Sequence, residues 1–450
     1  MDARAPMPEA DPAALLERVA AHAAGAPLDL AHAKASREAL AALIDPTAPV
    51  PAWWDAAWQG LDLAGRDLTG ARLECADLGA ANLARARLAG VIGRAARFDG
   101  ANLEEADCRG ADLSGAGFAG IVAGQVRLGE AMLEDARFTE AAMRFADLRG
   151  ALLDGADFSQ ADLWGADFQG ADADDTRFRN ARLDEANLSD CNLTHADFEG
   201  ASLTKARLAG ARLQGASFAG AKLDGADLTG ADLSETSLVR LNLATCRLTH
   251  ARFAGAWLNG TRMRAEQLGG MVGEEAAGDY DAAQASYLAL EQNWKSIGSQ
   301  DAASWAYKRG RRMGRLHAGT LARAAWRARD GRGLARHGYR WIADRFVEWL
   351  CDYGESLSRI ARAFALAILL FAALYGATGG LLVEAEALRA TYNPLDLMSY
   401  SALNMMTANP PEIGIKPTGR VTNLLVGIQG AAGIILMGLF GFVLGNRLRR

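Results

Sequence analysis

Residues able to do chemistry are few in this 450-residue chain, and most are badly spaced for it. Five cysteines (Cys75, Cys108, Cys191, Cys246, Cys351) show no CxxC or other ligand spacing, and six histidines (His22, His32, His195, His250, His317, His337) are equally scattered. That spacing predicts reduced thiols and no protein-built metal site. There is no nucleophile–base pairing, phosphate-cradling loop or cofactor motif, so no catalytic residue and no cofactor are expected. Two other chemistries remain. One is the polar run Thr407-Ala408-Asn409-Pro410-Pro411-Glu412, set between two uncharged stretches. The other is contact with anionic surfaces by residues 308–362, where 14 Lys/Arg stand against 5 Asp/Glu among Trp326, Trp341, Phe346 and Trp349.

The elements that must position these groups follow from hydropathy. Residues 363–383 (21 residues) and 421–445 (25 residues) carry no charge, and each meets the roughly 20 residues a bilayer-crossing helix needs. Arginine-rich sequence precedes the first, and Arg447, Arg449 and Arg450 follow the second, while the intervening 384–420 holds four acidic and three basic residues. The distribution predicts a multi-pass inner-membrane protein with both termini cytoplasmic. Trp341 and Trp349 then suit an interfacial helix lying along the bilayer, and the basic collar suits anionic lipid, so the lipid bilayer rather than nucleic acid is the expected partner. Between the spans, Pro394 opens an apolar segment of about 13 residues, including Ser401 and Asn404, that is too short to cross and reads as a re-entrant helix. In the second span Gly433, Gly441 and Gly445 read as close-packing positions, with a hinge as the alternative, and Gln429 is a polar side chain at membrane depth.

Nearly half the chain obeys a different rule. Every fifth residue from Leu63 to Leu268 falls in one register of 42 positions, filled by 27 Leu, 9 Phe and 2 Met, with Gly93, Cys108, Ala123 and Ala173 as exceptions. Ala stands two residues before 30 of these 42 positions. Neither 3.6 nor 2 divides five, which excludes an amphipathic helix and a simple alternating strand. Phe98, Phe118, Phe138, Phe158, Phe178, Phe198 and Phe218 recur every twenty residues, so four pentapeptides make one coil and like side chains stack. Polar residues and glycine are expected to face water or make the corners, with positive φ cheap for glycine only. Gly93 and Ala123 mark weak coils with small bulges. No proline occurs between Pro51 and Pro394, as a ladder that uses every N–H demands.

The A-[DN]-[LF]-x-x pattern of 61–268 resembles the pentapeptide-repeat proteins, which implies a right-handed quadrilateral β-helix. Residues 363–450 resemble the two-helix potassium-channel pore domain: span, pore helix, filter, a proline, then a glycine-rich second span ending in Asn446-Arg447-Leu448. The resemblance implies a homotetramer that passes monovalent cations, with Ser401 and Asn404 on the pore helix and Thr407, Ala408, Asn409, Pro410, Pro411 and Glu412 at the filter. The family's filter reads T-x-G-Y-G-D, and both glycines are missing here. Pro410 and Pro411 forbid the usual carbonyl ladder, which predicts a pore without tight K⁺ selectivity, while four copies of Glu412 would form a cation-favouring ring.

Net charge −6 is thus −17 over 1–307 and +11 over 308–450, and a mean hydropathy of −0.02 conceals two kinds of sequence. The expected organisation is an N-terminal helical cap (1–60, with helix over 10–44 and Trp53, Trp54 and Trp58 sealing the first coil), a β-helix (61–268), a helical basic linker (269–362) that turns at Gly298, a first span (363–383), a re-entrant helix with its filter-like loop (384–420), a second span (421–445) and a basic tail (446–450). The β-helix, with 23 Lys/Arg against 31 Asp/Glu intermixed, is a solvated surface and not a replica of DNA. It reads as a cytoplasmic sensor or docking rod for a protein partner. The alternative function is a non-conducting membrane-anchored scaffold that presents the rod.

Overall fold

A computed structural model describes residues 54–55, 60–61, 63–383, 389–407 and 414–448, grouped in two compact units that meet between Ala306 and Tyr307. The expected cap, apart from a two-strand hairpin, β1 (Trp54–Asp55) with β2 (Gly60–Leu61), lies outside the described residues. So do Ala408, Asn409, Pro410, Pro411 and Glu412.

In the first unit the chain winds into a β-helix whose parallel bridges join residue i to i+20, from Asp67↔Arg87 to Asn242↔Arg262. One pentapeptide shows why the sequence is so restricted. Ala156 N–H donates to Leu153 O (2.9 Å) within the chain's own turn, Asp157 N–H to Ala136 O (2.9 Å) one coil before, and Phe158 N–H to Arg177 O (2.7 Å) one coil after. Gln160 N–H donates to Arg179 O (2.8 Å), and the remaining amide, Ser159 N–H, is taken by the Asp157 carboxylate (2.9 Å). All five donors are engaged, so proline has no place and Asp or Asn is favoured before each inward Leu or Phe.

The inward positions are buried throughout, and the phenylalanines stack as the twenty-residue period requires. From Phe98 to Phe218 successive rings lie 4.7–5.4 Å apart and within 7° of parallel, with Phe168 edge-on to Phe158 and Phe178. Where a polar residue replaces the inward Ala, it donates to a carbonyl 23 residues earlier: Thr176 to Leu153 O, Thr236 to Leu213 O and Thr261 to Leu238 O, at 2.6–2.8 Å. Cys191 does the same toward Phe168 O.

Two expectations are corrected. The corners adopt φ of 52–76° at nineteen glycines but also at twenty other residues between Cys75 and His250, because the ladder on both sides outweighs the modest αL cost for residues such as Asp, Asn, Glu and Arg. The ladder also runs unbroken past Gly93 and Ala123, with Gly93 N–H bonded to Asp112 O (2.7 Å), since the Leu113 side chain fills the space over Gly93. Among the described residues the bridge series instead passes over Lys222↔Asn242. There Leu241 takes the inward place that Ala fills in most repeats.

The last coil ends in side chains that replace the missing next coil. A 3₁₀ turn (Ala265–Leu268) leads to α1 (Gly273–Ala277), α2 (Tyr280–Ser296) and α3 (Gln300–Arg327), with the break between α2 and α3 at Gly298 (φ 80°). The buried Glu274 carboxylate accepts Phe253 N–H (2.8 Å), Ala254 N–H (2.9 Å) and the Ser286 hydroxyl (2.6 Å). The Asn293 carboxamide accepts Thr261 N–H (3.1 Å) and donates to Thr261 O (2.9 Å), and Trp294 Nε1 donates to Met263 O (3.0 Å). An open sheet edge is closed without a further strand.

The second unit continues through the rest of α3 into α4 (Gly331–Cys351) and α5 (Leu357–Thr378), then β3 (Leu381–Val383), β4 (Arg389–Ala390), α6 (Pro394–Thr407), β5 (Ile415–Pro417) and α7 (Arg420–Leu448). The first apolar helix therefore begins before residue 363 and stops at Thr378, where Gly379 caps it in the αL conformation. Leu381–Val383 instead forms the centre of a three-stranded antiparallel sheet, β4-β3-β5.

Phe158→Ala should lower rod stability by about 3–5 kcal/mol, since a fully buried ring with three aromatic neighbours leaves a cavity; denaturant unfolding measures it. Burial pushes the Glu274 carboxyl above its ordinary 4.5 despite its hydrogen bonds. A raised folded-state value means the native state holds a proton the unfolded chain has released, so stability from this group falls as pH rises from 4.5 through the folded value. Glu274→Gln should flatten that decline in pH-dependent unfolding while keeping the acceptor for Phe253 and Ala254.

Candidate functional site

The second unit is organised around a short helix between two long ones. α5 and α7 are the described helices long and apolar enough to cross a membrane, and only 28% of each apolar window is buried inside the structure. Leu366, Leu369 and Leu370 on α5 and Leu424, Ile428, Ile434 and Ile435 on α7 are exposed. A buried core helix would hide such residues; on these two helices they form outward apolar belts. α6, with fourteen residues, packs on both long helices. Its start is fixed locally: Pro394 supplies a preset φ, Asn393 Oδ1 accepts Leu395 N–H (3.1 Å) and Asp396 accepts the Thr391 hydroxyl (2.8 Å).

What holds α6 there is a polar network in an otherwise apolar core of Phe371, Leu381, Leu397 and Ile415. The wholly buried Gln429 of α7 lies at its centre. Its Oε1 accepts from Tyr375 OH of α5 (2.6 Å) and Asn404 Nδ2 of α6 (3.0 Å). Its Nε2 donates to the carbonyl (2.9 Å) and hydroxyl (2.6 Å) of Ser401, and that hydroxyl donates to Ile368 O of α5 (2.8 Å). One carboxamide thus ties three helices, and Asn404 adds a bond to Val426 O (3.2 Å). The sequence marked Ser401, Asn404 and Gln429 separately. Tyr375 was missed because an aromatic residue in an apolar run gives no sign of its hydroxyl's partner.

The glycines divide by role. A Cβ at Gly433 would collide with the Met405 carbonyl, so α7 and α6 meet backbone to backbone there, whereas Gly441 and Gly445 have nothing within 4 Å. The Gly441/Gly445 face is open in the single chain. Thr407 ends α6, its hydroxyl donating to Leu403 O (2.7 Å); the rest of the expected filter lies outside the described residues.

The basic segment is anchored to the start of α5. Arg359 donates to Glu348 O (2.6 Å) and Arg362 to Trp349 O (3.3 Å), which satisfies carbonyls at the end of α4. The Arg362 guanidinium also lies 5.8 Å from the Trp349 ring centre. Asp344 and Glu348 pair with Arg311 and Arg315 of α3, while Tyr339, Ile342 and Phe346 are more than half exposed.

Comparison with known proteins bears on the first unit. The pentapeptide-repeat family model (Pentapeptide repeats, 8 copies) matches within 81–120 and 123–264. Among solved structures, the chain is similar to HetL, a pentapeptide repeat protein involved in heterocyst differentiation regulation in the cyanobacterium Nostoc sp. strain PCC 7120 (32% identity over 44% of this chain and 85% of that one, TM-score 0.25). It is also similar to a trypsin-treated form of QnrB1, a plasmid-mediated fluoroquinolone resistance protein (22%, 44% and 93%, TM-score 0.26), and to a thylakoid-lumen pentapeptide repeat protein of Arabidopsis thaliana (33%, 27% and 67%, TM-score 0.14). No curated protein matches the chain.

Gln429→Leu strands the Tyr375 hydroxyl and loosens α6, and should cost about 2–4 kcal/mol, read as thermal unfolding in detergent. Gly433→Ala should destabilise in the same assay, whereas Gly427→Ala, with open space around it, should not.

Proposed function

The chain is a pentapeptide-repeat protein through residues 81–264, and we propose that it joins this β-helix to a two-span membrane unit that passes cations without tight K⁺ selectivity. The observation that carries the reading is α6. At about 1.5 Å per residue its fourteen residues reach about 21 Å, short of the ~30 Å hydrocarbon core. It is held between two crossing-length helices by a fully buried amide network. A helix that enters but does not cross brings polar chain to membrane depth, and such chain is tolerated there only against protein or a water-filled path. In sequence, Thr407 at the end of α6 is followed by Ala408, Asn409, Pro410, Pro411 and Glu412. Two consecutive prolines remove the backbone freedom on which carbonyl selection of K⁺ depends. Four copies of the unit around a common axis would set Glu412 as a ring, with both termini cytoplasmic.

A second reading, a non-conducting membrane-anchored scaffold, has its own support. Phe145 is 52% exposed on the β-helix and stands edge-on to Trp164, an aromatic pair at the rod's surface suited to a protein partner.

Flux into liposomes containing the purified full chain separates the two. The channel reading expects Na⁺ and K⁺ flux of similar size. No flux from a protein that is monomeric in detergent would leave the scaffold. Glu412→Gln should lower cation-over-anion preference, seen as a shift in reversal potential under a salt gradient.

A further inference from the structure

The twenty-residue winding brings together a ligand set that linear spacing hides. Asp174 and Asp175 lie at one corner of the β-helix and His195 at the corner one coil later. Their ligand atoms all stand within 4.8 Å of one another. The corners are rigid: Asp175 and His195 hold φ of 52° and 55°, with Asp175 N–H bonded to Thr194 O (3.0 Å) and His195 N–H to Gln214 O (2.8 Å). Gly215 gives the imidazole room to lie against the next coil, since a Cβ there would come within 2.7 Å of His195 Cδ2.

We propose that Asp174, Asp175 and His195 bind one divalent transition-metal ion of the Zn²⁺ class. A second feature points to a cation. The cluster stands at the surface, with the Asp174 and His195 side chains 40% and 62% exposed, but the Asp174 Oδ1 atom itself is covered and has no hydrogen-bond donor; His195 Nδ1, at 3.6 Å, is too far to serve. That separation suits two atoms sharing a metal, because with bonds of about 2.0–2.2 Å neighbouring ligands stand about 3.0–3.6 Å apart. An imidazole with two carboxylates favours Zn²⁺, Co²⁺ or Mn²⁺ over Mg²⁺ and Ca²⁺, which prefer all-oxygen sets. A bound ion would staple consecutive coils at one corner, leaving its remaining positions to water.

Calorimetric titration of the metal-free full chain in detergent with Zn²⁺ tests the site. His195→Asn and Asp175→Asn keep a residue that tolerates the left-handed corner, so both variants should fold as the parent does by circular dichroism. Each should weaken Zn²⁺ binding at least tenfold, and excess Mg²⁺ should not compete. His250→Asn, at an equivalent corner (φ 57°) outside the cluster, should leave the isotherm unchanged. Unaltered binding in His195→Asn, or an equal loss in His250→Asn, would overturn the site.

Discussion

The first unit depends on one constraint: in a typical pentapeptide four of the five amides bond to backbone carbonyls, three of them nineteen to twenty-one residues away along the chain. Because neighbouring coils supply both donors and acceptors, the ladder admits neither proline nor a change of register. It also fixes the corners strongly enough to impose left-handed backbone on residues that would otherwise avoid it. Side-chain order follows from the same geometry. With i above i+20, Phe must stack on Phe, Ala on Ala, and a buried hydroxyl must look back to a carbonyl 23 residues earlier. The absence of proline between Pro51 and Pro394 and the parallel rings from Phe98 to Phe218 are two expressions of that rule.

The second unit meets the opposite problem. Its long helices satisfy their own backbone and present apolar surface, so little but shape holds them together; a few polar groups then decide the arrangement. Gln429 meets that need by serving as acceptor and donor to two other helices, and Gly433 meets it by having no side chain where α6 approaches.

Much of this was legible in sequence, and the rest was hidden for identifiable reasons. The five- and twenty-residue periods appear directly because the fold is periodic in chain position, and the two apolar helices appear because hydropathy is local. The turn at Gly298 was visible for a similar reason. Glu274 and Asn293 gave no such signal, because a side chain that imitates backbone is an ordinary polar residue on a helix until its distant partners are placed. Thr378 as the end of α5 was obscured because Leu381–Val383 is as apolar as the helix before it. His195 looked isolated because its neighbours in space, Asp174 and Asp175, stand a full coil away along the chain.

The end seal built by Glu274, Asn293 and Trp294 grips only the final coil, through Phe253, Ala254, Thr261 and Met263. Since this seal specifies no coil interior to the rod, rod length is a free variable that changes in whole coils. Chain position within the repeat is also an angle. A gain or loss of twenty residues would lengthen or shorten the rod and leave every face where it was. A gain or loss of five would rotate everything downstream by a quarter turn, and with it the direction in which α2 departs.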